Sequence, residues 1–176
     1  MASAFAHALS AYTIGKVGFS KKQTLKFWLL GIFCATMPDL DVISFHLGIP
    51  YEHVLGHRGI THSFAFALLL GLMLAFLFFR EYSIKSWQWW KIMLYLSICT
   101  ASHGLLDAMT TGGRGVAFFA PFENSRHFLP IRVIRVSPIH IEDFFGEWGL
   151  RVIMSELFWI GIPCLVLLVG AWLLRR

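Results

Sequence analysis

Apolar residues run along this chain in blocks too long for the exterior of a soluble domain. Two blocks are long enough to cross a bilayer unaided: Ile60 to Phe79, interrupted only by Thr61, His62 and Ser63, and Leu157 to Leu174, which has no charge. Two more are shorter, from Phe27 to Met37 ahead of Pro38-Asp39-Leu40-Asp41, and from Ile92 to Ala101 ahead of His103 and Asp107. A run of about 10 to 14 apolar residues suits a re-entrant or core helix as well as a span, so their polar ends must enter the membrane or a shielded cavity. The amino-terminal piece, Ala2 to Gly15, has helical spacing, with Phe5, Leu9 and Tyr12 on one face and Ser3, His7 and Ser10 on the other. That polar stripe is expected to face protein. The pattern predicts an all-α polytopic membrane bundle, residues 1–176 forming one integral-membrane domain. About five helices are embedded, with a long extracytoplasmic loop between the last two.

Composition agrees. Of 176 residues 57% are hydrophobic, seventeen are Phe and seven Trp, and the mean hydropathy is +0.66, so the bilayer is the expected solvent. The first fifteen residues carry no Lys or Arg, so the charged start of a cleavable signal is missing and insertion is expected to use the helices themselves. The net charge of +5 does not form a nucleic-acid stripe, because the basic residues cluster at the ends of apolar blocks. Lys16, Lys21, Lys22 and Lys26 fill the first connection, Arg80, Lys85 and Lys91 the third, and Arg175 and Arg176 the end. These ends are expected to be cytoplasmic, with Trp87, Trp89 and Trp90 forming an interfacial belt beside them. Cys34, Cys99 and Cys164 lie inside apolar blocks without CxxC spacing and read as packing residues.

On that topology three segments deliver chemistry to the opposite face: Asp39 and Asp41 after the second helix, His57 and His62 before the third, His103 and Asp107 at the end of the fourth. His7 on the first helix reaches the same depth. His103 and Asp107, four apart, share a helix face. Pro38 predicts a helix break that lets Asp39 and Asp41 project to one side as an extended pair. In His57-Arg58-Gly59-Ile60-Thr61-His62-Ser63, Gly59 permits a turn and Thr61 is placed to cap the next helix. Each Asp near the bilayer centre costs roughly 2.5 to 3.5 kcal/mol, so three would approach the stability of a small domain. A bound metal returns on the order of 10 kcal/mol, which points to a metal or proton site. His46, His53 and His140 read as interfacial.

These segments resemble the YdjM/YbcI-like family of bacterial inner-membrane proteins, described as LexA-regulated, membrane-bound, metal-dependent hydrolases. The matching stretches are the first helix with His7, Met37-Pro38-Asp39-Leu40-Asp41, His57 through Ser63, and Ser102-His103-Gly104-Leu105-Leu106-Asp107. Phe119-Ala120-Pro121-Phe122, Arg126-His127-Phe128 and Val136-Ser137-Pro138-Ile139 complete the set. The resemblance implies a multi-pass inner-membrane hydrolase with His7, Asp39, Asp41, His57, His62, His103 and Asp107 as candidate ligands. It also implies a distant similarity to zinc-dependent phospholipase C enzymes, and so cleavage of a phosphoester or ester in a membrane lipid or lipid phosphate.

Seven N and O donors exceed the needs of one zinc ion, which allows two; imidazole with carboxylate suits Zn²⁺, with Mn²⁺ or Fe²⁺ as alternatives. Asp39, His62 and Arg58 are the candidates for the catalytic step, and Arg58, Arg126 and Arg132 for holding an anionic substrate group. Thr110 to Gly115 reads as an entrance loop or a turn. Two other functions need the same residues: a metal- or proton-coupled transporter, and a membrane scaffold with a structural metal.

Overall fold

The computed structural model describes residues 1–138 and 141–176. His140 and Ile139 of the sequence reading lie outside the described residues. The fold is all-helical, with six helices of ten residues or more and no strand among the described residues. α1 spans Ala4–Gly18 and α2 Leu25–Thr36; a 3₁₀ turn over Met37–Val42 leads into the single turn α3, Ile43–His46. After a loop come α4, Phe64–Phe78, and α5, Trp87–Ala108. The chain then runs without long helices, tied by isolated bridges Thr110–Ile134 and Val116–His127. α6 is the turn Ile141–Phe144, and α7, Glu147–Glu156, continues through a π turn at Leu157–Gly161 into α8, Ile162–Leu173.

Hydroxyl caps start the bundle helices. Ser3, Thr24, Ser63 and Ser86 each accept from the backbone N–H three residues on, satisfying a donor that the first turn leaves open. Thr61, expected to cap the third helix, is thus displaced by Ser63. The π turn precedes Pro163, whose missing N–H cannot complete an ordinary α turn, so the ladder widens there.

α5 is the central rod, packed against α1, α2 and α4. Its Trp89, Ile92, Tyr95, Leu96 and Cys99 form the core with Phe27, Cys34, Leu70 and Leu74. The Phe27 and Tyr95 rings stack with centroids 4.2 Å apart. A second, smaller core joins α1 to α8 through Ala2, Ala6, Ile160 and Cys164. All three cysteines are free and buried, as packing residues should be.

Among the described residues two helices are long and apolar enough to cross a membrane, Leu25–His46 with 22 residues and Glu147–Leu173 with 27. This redistributes the expected spans. The block from Phe27, read as too short, gains length because the 3₁₀ turn carries the rod past Pro38 to His46. The block from Ile60 loses its first turns to a loop, and α4 keeps 15 residues, about 22 Å at 1.5 Å per residue. Outward residues of α4 and α8, among them Leu69, Phe76, Leu165 and Val166, leave a broad apolar exterior.

Helices approach closely where glycine allows it. A Cβ on Gly71 of α4 would stand 2.7 Å from the Ser97 nitrogen and 3.0 Å from the Met93 carbonyl oxygen of α5. Backbone cannot yield as a flexible side chain can. Gly71→Ala is expected to cost about 1–3 kcal/mol and lower the unfolding midpoint in detergent. Gly170→Ala, where nothing lies within 4 Å, should leave that midpoint unchanged or raised; equal behaviour of the two variants would refute the packing argument.

Candidate metal centre

The ends of α2 and α5, the loop before α4 and one face of α1 meet at a buried layer of histidines and aspartates. Pro38 does end the α-helical pattern, but the chain continues as a 3₁₀ turn, not as an extended pair. With three residues per turn, positions two apart diverge. Asp39 and Asp41 therefore address opposite nitrogens of one ring: Asp39 Oδ1 lies 3.8 Å from His62 Nε2, and Asp41 Oδ2 lies 3.2 Å from His62 Nδ1.

Asp41 is the organiser of the loop before α4. Its Oδ1 is 2.5 Å from His57 Nδ1, while Oδ2 accepts from the Arg58 backbone at 2.9 Å and from the Thr61 hydroxyl at 2.7 Å. Arg58 itself supplies the left-handed residue of this turn, with φ +59°, and not Gly59. Gly59 is required for a different reason: a Cβ there would run into the Val54 and Gly56 carbonyl oxygens.

His103 and Asp107 share the inward face of α5, and four donor atoms close on one point. His103 Nε2 is 3.1 Å from His62 Nε2 and 3.2 Å from Asp39 Oδ1, and Asp107 Oδ2 is 3.7 Å from His62 Nε2. The donor atoms of Asp39, His62, His103 and Asp107 all lie within 4.8 Å of one another, so the group can hold a metal ion. Bonds of about 2.0–2.2 Å to Zn²⁺ imply ligand atoms about 3.3 Å apart around a tetrahedral ion, close to the spacings found.

Tautomers sharpen the argument. His103 Nδ1 sits 2.7 Å from the Ala35 carbonyl oxygen, which can only accept, so that nitrogen carries the proton. His62 Nδ1 faces the Asp41 carboxylate in the same way. In their neutral forms both rings then turn Nε2 lone pairs toward each other beside two carboxylates, an arrangement that a cation between them would satisfy. Asp39 Oδ1 and Asp107 Oδ2, both buried, lack hydrogen-bond partners, as do both ring nitrogens of His7.

His7 and His57 flank the four donors. The His7 ring stacks on His103 at 3.9 Å with its Nε2 3.6 Å from Asp107 Oδ1. His57 and Asp41 stand behind His62. The seven residues singled out from the sequence therefore share one layer, but as four facing donors and three neighbours. His46 and His53 are exposed and apart from it.

Arg58 is almost fully buried. Its Nε is 3.0 Å from Asp107 Oδ2, and its other nitrogens donate to the Gly112 carbonyl and the Thr110 hydroxyl, both at 3.1 Å. The Thr110–Gly115 segment is thus a turn that seats this guanidinium. Arg126 donates to the carbonyls of His57, Tyr51 and His53, and Arg132 to that of Thr110 while lying over the Phe128 ring. Beside His57 and Arg58 opens a cavity of about 670 Å³ walled by Phe45, Tyr51, Val136, Pro138 and Trp148.

The sequence reading did not single out Glu156. Its buried carboxylate accepts from the Ser3 backbone and hydroxyl at 2.5 Å each, anchoring the start of α1 and thereby His7. An acid in the interior of a membrane-length helix, away from its ends, is the signal that marks it.

A family model described as YdjM inner membrane protein matches residues 1–176. The inner membrane protein YbcI of Escherichia coli (strain K12) is 37% identical over 179 residues, covering 100% of both chains. No solved structure matches.

If Asp41 works by orienting His62, Asp41→Asn should weaken metal binding by about 10–100-fold while His103→Ala removes it, as read by elemental analysis and competition with a fluorescent chelator. Equal affinity in Asp41→Asn and the parent protein would show that the carboxylate does not set the ring.

Proposed function

The chain belongs to the YdjM family of inner membrane proteins, and from that premise we propose that it is a multi-pass, metal-dependent hydrolase that cleaves a phosphoester or ester in a lipid-like substrate. The observation that carries this reading is the pair of Nε2 atoms of His62 and His103, 3.1 Å apart, set between the carboxylates of Asp39 and Asp107. We assign five embedded helical rods, namely α1, α2 with α3, α4, α5, and α7 with α8. The lysine-rich end is cytoplasmic and the His/Asp layer extracytoplasmic, on the rule that short connections rich in Lys and Arg stay inside.

Zn²⁺ suits the two imidazoles and two carboxylates best, and one ion matches the four facing donors. When bound, such an ion polarises an ester or phosphoester oxygen and acidifies water. The chain's own groups do the rest. Asp41 and the Ala35 carbonyl hold the two rings in the required tautomers. Arg58 offsets the charge of Asp107 from within the fold. Asp39 is the one donor whose side chain keeps access, 18% against 0% for His62, His103 and Asp107, so it is the group on the water side, placed to take a proton. The largely apolar walls of the cavity beside His57 and Arg58 suit the chain of an amphiphile.

A structural metal is the second reading, favoured by the complete set of four protein donors, three of them sealed. Purified protein with its metal content measured, assayed on a panel of phospholipids and isoprenoid phosphates, separates the two. For a hydrolase, chelation abolishes turnover and re-addition of Zn²⁺ restores it, and Asp39→Asn lowers kcat by about 10²–10⁴-fold with the protein still folded. A folded, zinc-loaded protein inert toward the whole panel, and unfolding when the ion is stripped, would establish the structural role.

A further inference from the structure

The end of the bundle remote from the His/Asp layer holds a second feature that the proposed hydrolysis does not use. Lys91 and His103 lie on the same helix twelve residues apart, about 18 Å at 1.5 Å per residue. Around Lys91, the ends of α1, α2, α4 and α5 enclose a cavity of about 440 Å³ whose lining includes Lys21, Lys22, Thr24, Gln88 and Lys91. Its carboxylate, Glu81, is already taken: the Lys26 ammonium lies 2.7 Å from it and holds its carboxyl below the ordinary value. Lys21, Lys22 and Lys91 take part in no ion pair among the described residues. The cavity therefore carries uncompensated positive charge over a floor that includes Phe19, Phe79 and Ile92.

A nearly wholly apolar groove of about 420 Å³ adjoins it, running between α1 and α5 along Ile14, Trp87, Trp90, Leu94 and Ile98. The two share Phe19 and Lys91. The Lys91 ammonium stands 4.8 Å over the Phe19 ring, so its charge sits at the junction of the polar chamber with the apolar groove. Nearby, Arg175 donates to the carbonyls of Lys16, Val17 and Phe19, bringing a further cation to this end. A free anion would need only the chamber; a neutral lipid would need only the groove. The joined pair matches a molecule with one anionic head and an acyl chain.

We propose that this joined chamber and groove is a binding site for an anionic phospholipid, its phosphodiester among Lys21, Lys22 and Lys91 and one acyl chain against α1 and α5. The site is separate from the metal centre. Basic chambers between membrane helices hold acidic headgroups by short-range charge attraction, which salt weakens.

The full chain, purified in detergent and delipidated, is titrated with phosphatidylglycerol, with phosphatidylcholine and with inorganic phosphate, following thermal unfolding and native mass spectra. Phosphatidylglycerol is expected to bind and raise the unfolding midpoint, less so at high salt. Lys21→Gln/Lys22→Gln/Lys91→Gln should weaken it about 100-fold, and the exposed pair Lys21→Gln/Lys22→Gln about 10-fold, both retaining the parent's metal content. Equal binding of phosphatidylcholine, or an unchanged response in the double variant, overturns the proposal. The same shift with inorganic phosphate alone would make the chamber a simple anion site and overturn it equally.

Discussion

Three aspartates at the ends of apolar helices, two of them buried and one half-buried, set the terms for everything else in this molecule. Asp39, Asp41 and Asp107 have side-chain accessibilities of 18%, 4% and 0%, in a chain whose exterior is largely hydrocarbon. Carboxylates in such surroundings are tolerated only with cations and donors at hand. Asp41 draws its donors from a single loop, and Asp107 has the Ala2 N–H as donor and the Arg58 guanidinium as counter-charge, leaving Asp39 and one oxygen of Asp107 turned toward two imidazoles. The charge that remains is what lets this group hold a cation.

Rigidity follows from the same constraint. The loop from His57 to His62 has little apolar surface of its own, and its shape is held by polar bonds: Asp41 from one side, Arg126 across three carbonyls from the other. Arg58 adopts a left-handed backbone that costs a non-glycine residue about 1–2 kcal/mol, and its backbone bonds to Asp41 and to Ala117 offset this. The turn that positions His57 and His62 is thus built by the site it serves. A charged network of this kind is demanding, because a missing partner leaves a buried charge uncompensated.

The two ends of the bundle are chemically unlike. One gathers imidazoles and carboxylates from four segments that are far apart in the chain; the other gathers lysines and arginines from helix ends and the short connections between them. Between them α5 is a single rod whose first turn lies at the basic end and whose last turn carries His103 and Asp107. The apolar exterior, the His/Asp layer and the basic chamber make separate demands on the same helices, met at opposite ends of the bundle.

Sequence alone determined the helical class, the membrane character and the set of histidines and aspartates that share one layer. These depend on local facts: runs of apolar residues, lysines at their ends, and the i, i+4 spacing of His103 and Asp107. It also placed His7 on a polar face of α1, since helical period assigns faces without knowledge of neighbours. Tertiary structure decided which atoms meet. Whether Asp39 and Asp41 point together depended on the turn type after Pro38, and the 3₁₀ geometry sent them to opposite sides of His62. Ser63 rather than Thr61 became the cap, because Thr61's hydroxyl was claimed by Asp41 from another segment. Arg58 was enclosed by Asp107, Thr110 and Gly112, partners between 49 and 54 residues away in sequence. Composition and period report what each residue can do; only packing of distant segments fixes the tautomer, the partner and the remaining lone pair.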